Sequence, residues 1–262
     1  MKAISVHSIR TRRAAQRGFT LVELMIALVI ALFLIGGLVT LVGAMKITYN
    51  SQSGLSQLQD NERMAMTLIT NVVESTGYFP NPLINTAATS FPSGAAPVSG
   101  TFASGQAIIG TGHYSDPAPG NTITVRYLTT GSDNVINCTG NTSGVGVAAT
   151  FVNTFSIDAN GNLDCTLIVN GTAQPTVQLV SGLNSMNIYY GVQTNGGVST
   201  NSIDTYLDAS SMTASDWSNV KSVQIKLNFV NPLYGQPGQT NSTQQYISFT
   251  RVIDVMNKNG AT

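Results

Sequence analysis

The sequence predicts an α+β protein in which a long N-terminal α-helix packs on a predominantly antiparallel β head. Three observations predict this fold. Residues 24–45 carry no charged side chain, apolar residues after Met45 recur at helical spacings, and the chain beyond residue 78 alternates apolar and polar residues in short runs. The length of 262 residues and the 42% hydrophobic content suit a globular protein with a membrane segment.

Residues 1–18 form a separate basic leader. They hold five of the twelve Lys and Arg residues and no acid, so the rest of the chain has seven basic and twelve acidic residues, a net charge of −5. Such a mildly acidic chain has no electrostatic footprint for nucleic acid, and no direct nucleic-acid binding is predicted. Only 9% of the residues are charged, which is typical of an exported or surface protein.

Residues 19–45 are predicted to be a transmembrane or filament-core helix. The 22 uncharged residues from Leu24 to Met45 can cross a hydrocarbon core of about 30 Å at about 1.5 Å per residue. The basic leader precedes them and only Lys46 follows at once, which favours a cytoplasmic N-terminus and an exported head. A secretory signal cleaved at Val42-Gly43-Ala44, or a plain anchor, is disfavoured, since a signal has an apolar region of roughly 7 to 15 residues.

Residues 46–77 are predicted to be an amphipathic helix that continues the first to about Thr76. Its apolar positions recur at spacings of three, four or seven, and Gly77 with Pro80 behind it is a natural stop. These apolar positions are Leu55, Leu58, Ala65, Leu68, Ile69 and Val72. We expect a weak point at Gly36-Gly37, because each Gly costs about 1 kcal/mol in a helix relative to Ala. Close packing of neighbouring helices at these small residues is the alternative.

Residues 78–262 form the β-rich head. Alternating runs from Ile123 to Tyr127, Val223 to Phe229 and Tyr246 to Met256 predict half-buried strands. An antiparallel sheet with one face on the helix is the economical arrangement. The Pro-, Gly- and Ser-rich stretch 80–122 is predicted to be loop.

The N-terminal residues Arg17-Gly18-Phe19-Thr20-Leu21-Val22-Glu23 resemble the processing site of type IV prepilins and pseudopilins. The resemblance implies that a prepilin peptidase cuts after Gly18 and that Phe19 becomes the N-methylated first residue. It also implies an assembly role for Glu23, whose carboxylate meets the N-terminal amine of a neighbouring subunit, since a buried carboxylate needs a cation to offset its desolvation. The alternative is that Glu23 lies at the level of the lipid headgroups.

Several short stretches of the head resemble the PilW family of minor type IV pilins. They are Gly77-Tyr78-Phe79, Cys138-Thr139-Gly140, Leu163-Asp164-Cys165, Tyr189-Tyr190-Gly191-Val192, Asp204-Thr205-Tyr206-Leu207, Asp216-Trp217-Ser218-Asn219-Val220-Lys221-Ser222-Val223 and Arg251-Val252-Ile253. The resemblance implies a minor pilin, a structural subunit of pilus assembly in a priming or tip complex. Departures are Pro80 after Phe79 and a loop at residues 193–197 without the family's acidic residues, so no metal site is predicted there.

The resemblance also implies partners and a location. The partners are the prepilin peptidase, other minor and major pilins, the inner-membrane assembly platform and, where one is used, a tip adhesin. The chain would cross the bacterial inner membrane once, with a periplasmic head, and then join the cell-surface pilus. Two alternatives stay open: a type II secretion pseudopilin, and a membrane-anchored protein that binds a surface ligand without polymerising.

Cys138 and Cys165 are expected to form a disulfide in an exported head. A redox or nucleophilic cysteine is the alternative, but no suitable partner set accompanies it.

Beyond the leader, His113 is the only histidine, and no Gly-x-Ser-x-Gly, Walker, His-Glu-x-x-His or Cys-x-x-Cys motif occurs. We therefore predict no enzyme activity, no catalytic residues, no cofactor and no metal; Asp158 and Asp164 are expected to flank a hairpin turn, and Trp217 to lie in the core.

Overall fold

The computed structural model describes residues 18–114, 121–144, 146–194, 202–236 and 243–255. The helices within these ranges are α1 (Leu21–Glu74), α2 (Ala87–Ser90) and α3 (Ala214–Ser218), with a 3₁₀ turn at Ala209–Ser211. The strands are β1 (Gly94–Ala96), β2 (Gly100–Phe102), β3 (Ile108–Thr111), β4 (Thr122–Thr129), β5 (Ala149–Ile157), β6 (Leu163–Val169), β7 (Thr172–Ala173), β8 (Val177–Val180), β9 (Leu183–Val192), β10 (Thr205–Leu207), β11 (Val220–Val230) and β12 (Tyr246–Asp254). The α+β prediction is confirmed.

The chain divides into two compact units, one up to Asn50 and one from Ser51 onward. Helix α1 supplies residues to both units. It runs from Leu21 to Glu74 without a break, so the glycines at 36 and 37 do not interrupt it. The predicted helix was longer by two residues at each end.

The part of α1 within the second unit buries an apolar stripe. Its fully or nearly buried apolar residues are Leu58, Ala65, Met66, Ile69, Val72 and Val73. Gly77 ends this segment in the left-handed region, with φ of 73°, and its N–H donates to the carbonyl of Arg126 at 2.9 Å. The predicted stop is confirmed, since Gly is the residue that adopts this conformation without a steric cost.

The described part of the second unit contains two main antiparallel sheets and a hairpin, where the sequence suggested one sheet. The larger sheet has the order β3-β4-β5-β6-β7, with β8 also paired to β6. The other has the order β10-β9-β11-β12, and β1 pairs with β2. One apolar core joins the buried stripe of α1 to both main sheets, and Trp217 packs edge-on against Tyr190 within it, at 4.8 Å between ring centroids.

Strand β4 is buried on both faces, whereas its alternating sequence predicted one solvent-facing side. Thr124 and Arg126, expected to point to solvent, are 0% and 5% exposed. The Arg126 guanidinium donates to four main-chain carbonyls, those of Phe91, Pro92, Ala103 and Gln106, at 2.7–3.3 Å. The chain between Phe91 and Gln106 therefore covers the outer face of β4.

Candidate functional site

The predicted processing site lies just before α1. Gly18, Phe19 and Thr20 have no helical or strand structure, and all three are exposed. Phe19 is 82% exposed, so the bond between Gly18 and Phe19 is open to solvent and lies outside α1.

Thr20 caps the helix that follows. Its hydroxyl accepts the Glu23 N–H at 3.3 Å, and its carbonyl accepts the Leu24 N–H at 3.2 Å. This places Glu23 at the third helical position, where a carboxylate is favoured by the positive end of the helix dipole. The sequence carries this cap as Thr-x-x-Glu before an apolar run, the capping-box signal, although no separate role was predicted for Thr20.

The helix beyond Glu23 presents apolar side chains on every side. All residues from Leu21 to Asn50 are exposed, and the most apolar 18-residue window has a mean hydropathy of 2.9 with none of it buried. By length and composition the helix can cross a membrane. Two hydroxyls inside it bond to its own backbone, Thr40 to the Gly37 carbonyl at 2.8 Å and Thr48 to the Ala44 carbonyl at 3.1 Å, which leaves neither unsatisfied in an apolar medium.

Glu23 is thus the only ionisable side chain between Phe19 and Met45. A single exposed carboxylate can form an ion pair with a cation such as a protonated amine. In the described ranges, no group of three or more His, Cys, Asp or Glu side chains is placed to hold a metal ion. The Glu23 carboxylate and its apolar neighbours can support ionic pairing and apolar packing.

The structure joins Cys138 and Cys165 by a disulfide with Cα atoms 6.0 Å apart. Both residues are fully buried, and the Cys138 N–H donates to the side-chain oxygen of Asn153 at 2.8 Å. The bridge fastens the irregular segment before β5 to strand β6. Because both sulfurs are used in this bond, it is a structural feature of the head.

His113 lies beside a buried carboxylate. Its Nε2 is 3.4 Å from Asp208 Oδ2, and the Tyr114 ring is 4.4 Å from the imidazole. Burial of Asp208 works to raise its pKa, but hydrogen bonds from Ser211, Ser210 and the Tyr114 N–H outweigh it and lower the pKa below the ordinary value. The Asp208 carboxylate thus accepts hydrogen bonds from both the turn after β10 and the segment after β3, and it links the two.

The predicted turn near Asp158 is present. The Asp158 carboxylate accepts the N–H groups of Asn160 and Asn162, both at 2.8 Å, and these bonds lower its pKa. Burial, followed by the nearby charge of Asp158, raises the pKa of Asp164. The pair therefore brackets the hairpin between β5 and β6, as the sequence analysis expected.

A groove of about 610 Å³ lies beside the end of α1 and was not foreseen from sequence. It is lined by Asn71, Glu74, Ser75, Tyr78, Asp133, Asn134, Val135 and Ile136. Asp133 accepts the Thr130 N–H at 2.9 Å, and burial together with Asp133 raises the pKa of Tyr78. The predicted loop at residues 193–197 falls partly outside the described residues; its Thr194 donates its N–H to Asp204 at 3.0 Å.

Two family models match the chain. Residues 150–260, which contain β5 except its first residue and all of β6 to β12, match the model described as Type IV Pilus-assembly protein W. Residues 13–39, which contain Gly18, Phe19 and Glu23, match the Prokaryotic N-terminal methylation motif. No curated protein matches the chain at a significant level.

Proposed function

The two family matches support a PilW-like type IV pilin, a pilus assembly protein, and from this premise we propose that the chain is a minor pilin. It would act as a structural subunit in a priming or tip complex with other minor pilins. Catalysis has no part in this role.

One observation carries the proposal: a lone carboxylate lies in the first turn of α1, directly before 22 exposed residues that carry no charge. Side chains that are exposed all round such a helix need an apolar environment, which is lipid before assembly and neighbouring helices afterwards. A carboxylate carried into that environment needs a cationic partner. Cleavage after Gly18 would create an amine on Phe19, four residues from Glu23, and the amine of a neighbouring subunit would supply that cation.

The same segment and the two family matches support a proposed location and proposed partners. The five basic residues before Gly18 favour a cytoplasmic N-terminus, so the head would lie in the periplasm before the chain joins a surface pilus. The prepilin peptidase would act on the Gly18–Phe19 bond. Other pilins, the inner-membrane assembly platform and, where present, a tip adhesin would be the later partners.

The first experiment is N-terminal sequencing of the mature chain isolated from its native membrane. Phe19, with a methylated amine, is expected. An N-terminus at Met45 would mean ordinary signal cleavage, and an intact Met1 would mean a plain anchor; either result would refute the processing site.

The second experiment compares Glu23→Gln with Glu62→Gln. Glu62 also lies on α1, but on its amphipathic part. The two variants therefore make the same chemical change at different positions of the helix. Equal amounts of both variants are expected in membranes, with Glu23→Gln strongly depleted from purified pili and Glu62→Gln retained at the wild-type level. Unchanged incorporation of Glu23→Gln would overturn the role of Glu23, and absence of the wild-type chain from pili would overturn the minor-pilin proposal.

A type II secretion pseudopilin would have the same kind of N-terminal processing site and apolar helix. The match of residues 150–260 is to a pilus-assembly family, which favours the pilus. Cross-linking in native membranes followed by identification of the attached subunits separates the two. Pilus subunits are expected, and exclusively secretion pseudopilins would move the chain to the other system.

A further inference from the structure

Strand β12 is an edge strand of unusual length for this molecule. It has nine residues, whereas the other strands that end the two main sheets are short: β3 has four, β10 three and β7 two. Short edges are a common protection against unwanted pairing, and long flat ones are templates for another strand. β12 also pairs with β11 over its full length without a register shift, so no bulge twists it away.

The outer edge of β12 presents a row of backbone donors and acceptors. Hydrogen bonds from Asn231 N–H to Gln245 carbonyl and from Val255 N–H to Lys221 carbonyl bracket the ladder between β11 and β12. Both lie at directly opposed positions, so the odd-numbered residues of β12 bond to β11 and the even-numbered ones direct N–H and C=O groups away from it. Among the described residues, nothing forms a backbone bond to positions 246, 248, 250, 252 or 254 from the outer side.

On one face of the sheet, the side chains of β12 continue the row formed by the buried side chains of β11. This face of β12 carries Ile247, Phe249, Arg251 and Ile253, which lie opposite Phe229, Leu227, Ile225 and Val223 of β11. Arg251 is exposed, and its guanidinium donates to the Thr70 hydroxyl at 3.3 Å. In the described part of the chain, no carboxylate lies within ion-pair distance of Arg251. The face therefore offers an exposed cation beside the partly buried Phe249, while Ile253 on its other side is 2% exposed.

We propose that β12 is a strand-addition site that takes an extended segment of another protein in antiparallel pairing. The incoming segment would carry an acidic residue opposite Arg251 and apolar residues two positions to either side. Residues opposite odd-numbered positions of β12 would form the non-hydrogen-bonded pairs, in which side chains approach most closely, so Arg251 and the acid would meet directly. The even-numbered backbone groups would supply the new ladder.

The test uses full-length protein in detergent micelles and a synthetic nine-residue probe peptide. The peptide has glutamate opposite Arg251, valine opposite Phe249 and Ile253, and threonine at the hydrogen-bonded positions. Amide hydrogen exchange is followed at residues 248, 250 and 252, with and without peptide. The expected result is fast exchange in the free protein and clear slowing that saturates with peptide concentration.

Two variants make the test specific. A second peptide with lysine in place of glutamate should bind the wild type about tenfold more weakly, because an attractive cross-strand pair becomes repulsive. Arg251→Glu should reverse that preference. Thr250→Pro removes an N–H that points away from β11, so β12 should keep its pairing to β11 while binding of either peptide is lost.

The outcomes divide clearly. Saturable slowing together with the charge reversal supports the proposal. Slow exchange at these positions in the free protein would overturn it: if independent of protein concentration, another part of this chain covers the edge, and if it grows with concentration, a second copy does. Absence of slowing with both peptides, or unchanged binding to Thr250→Pro, would also overturn it. Because purified protein is used, failure here would leave the minor-pilin proposal untouched.

Discussion

Replacing Arg126 with methionine should destabilise the head substantially. Arg126 is 5% exposed, and burial lowers the pKa of its guanidinium to about 10, so the group remains charged at neutral pH. In the described ranges no carboxylate offsets that charge. The compensation comes from the four carbonyls and from the ring of Phe102, whose centroid is 4.4 Å from the guanidinium carbon.

The size of the effect depends on which carbonyls lose their only partner. The Phe91 carbonyl keeps the Gly105 N–H at 2.8 Å, while Pro92 and Ala103 are exposed and can be rehydrated. The Gln106 carbonyl receives the 2.7 Å bond from Arg126 Nε, and Gln106 is 7% exposed. An unsatisfied buried carbonyl costs about 1–3 kcal/mol and the lost cation–π contact about 0.5–2 kcal/mol, partly offset by removing a buried charge, so the expected loss is about 2–4 kcal/mol.

The assay is urea unfolding of the full-length protein, followed by the fluorescence of Trp217. This is the only tryptophan of the chain, and it is 9% exposed in the core. Arg126→Lys should fall between wild type and Arg126→Met, because an ammonium has three donors and cannot reach four carbonyls at once. Arg251→Met, at an exposed position, is the control and should change the free energy of unfolding by no more than about 0.5 kcal/mol. An Arg126→Met variant as stable as this control would refute the reasoning.

Three further predictions concern other contacts. Replacing Cys138 and Cys165 together by alanine should lower the free energy of unfolding by about 3–4 kcal/mol, measured in urea against wild type with and without reductant; equal stability of reduced and oxidised wild type would contradict it. Thr20→Val should reduce the local stability of the first turn of α1 by about 1 kcal/mol, whereas Thr20→Ser should change it little. Amide hydrogen exchange at Glu23 and Leu24 measures this local stability. Equal exchange rates in the two variants would show that the hydroxyl does not cap the helix. The lowered pKa of Asp208 contributes stability that is present above its unfolded pKa and lost as pH falls through its folded pKa. Asp208→Asn should therefore flatten the acid-side decline in unfolding free energy below about pH 4, and an unchanged decline would assign it to other carboxylates.

Periodicity predicted those elements whose surroundings are simple. Residues such as Leu58, Ile69 and Val72 repeat at helical spacing and are buried, and β11 buries Ile225 and Leu227 as its alternation indicates. Periodicity was misleading for β4. Its sequence alternates, but the chain around Phe91 packs over Arg126 and covers the face that was expected to be exposed. Local alternation does not indicate whether another segment covers the polar face of a strand. The number of sheets depends on the same long-range pairings.

The N-terminal site could be proposed from sequence because its chemistry would be local. Gly18, Phe19 and Glu23 belong to one short motif, and an acid before a long apolar run is conspicuous in any sequence. The cap from Thr20 was also present as a pattern, but its hydroxyl gains meaning only when the helix start is known to fall at Leu21. The groove beside Tyr78 joins segments more than 50 residues apart, and no local pattern predicts that meeting.

The non-helical residues 18–20 before α1 have a consequence for the order of events at the membrane. A protease needs its substrate extended, and the bond between Gly18 and Phe19 lies two residues before the first helical position. Hydrolysis there would require no turn of α1 to melt, so its rate should not depend on helix stability. The new N-terminus would be left on a two-residue tether, free to turn toward an adjacent subunit while the helix stays in the bilayer.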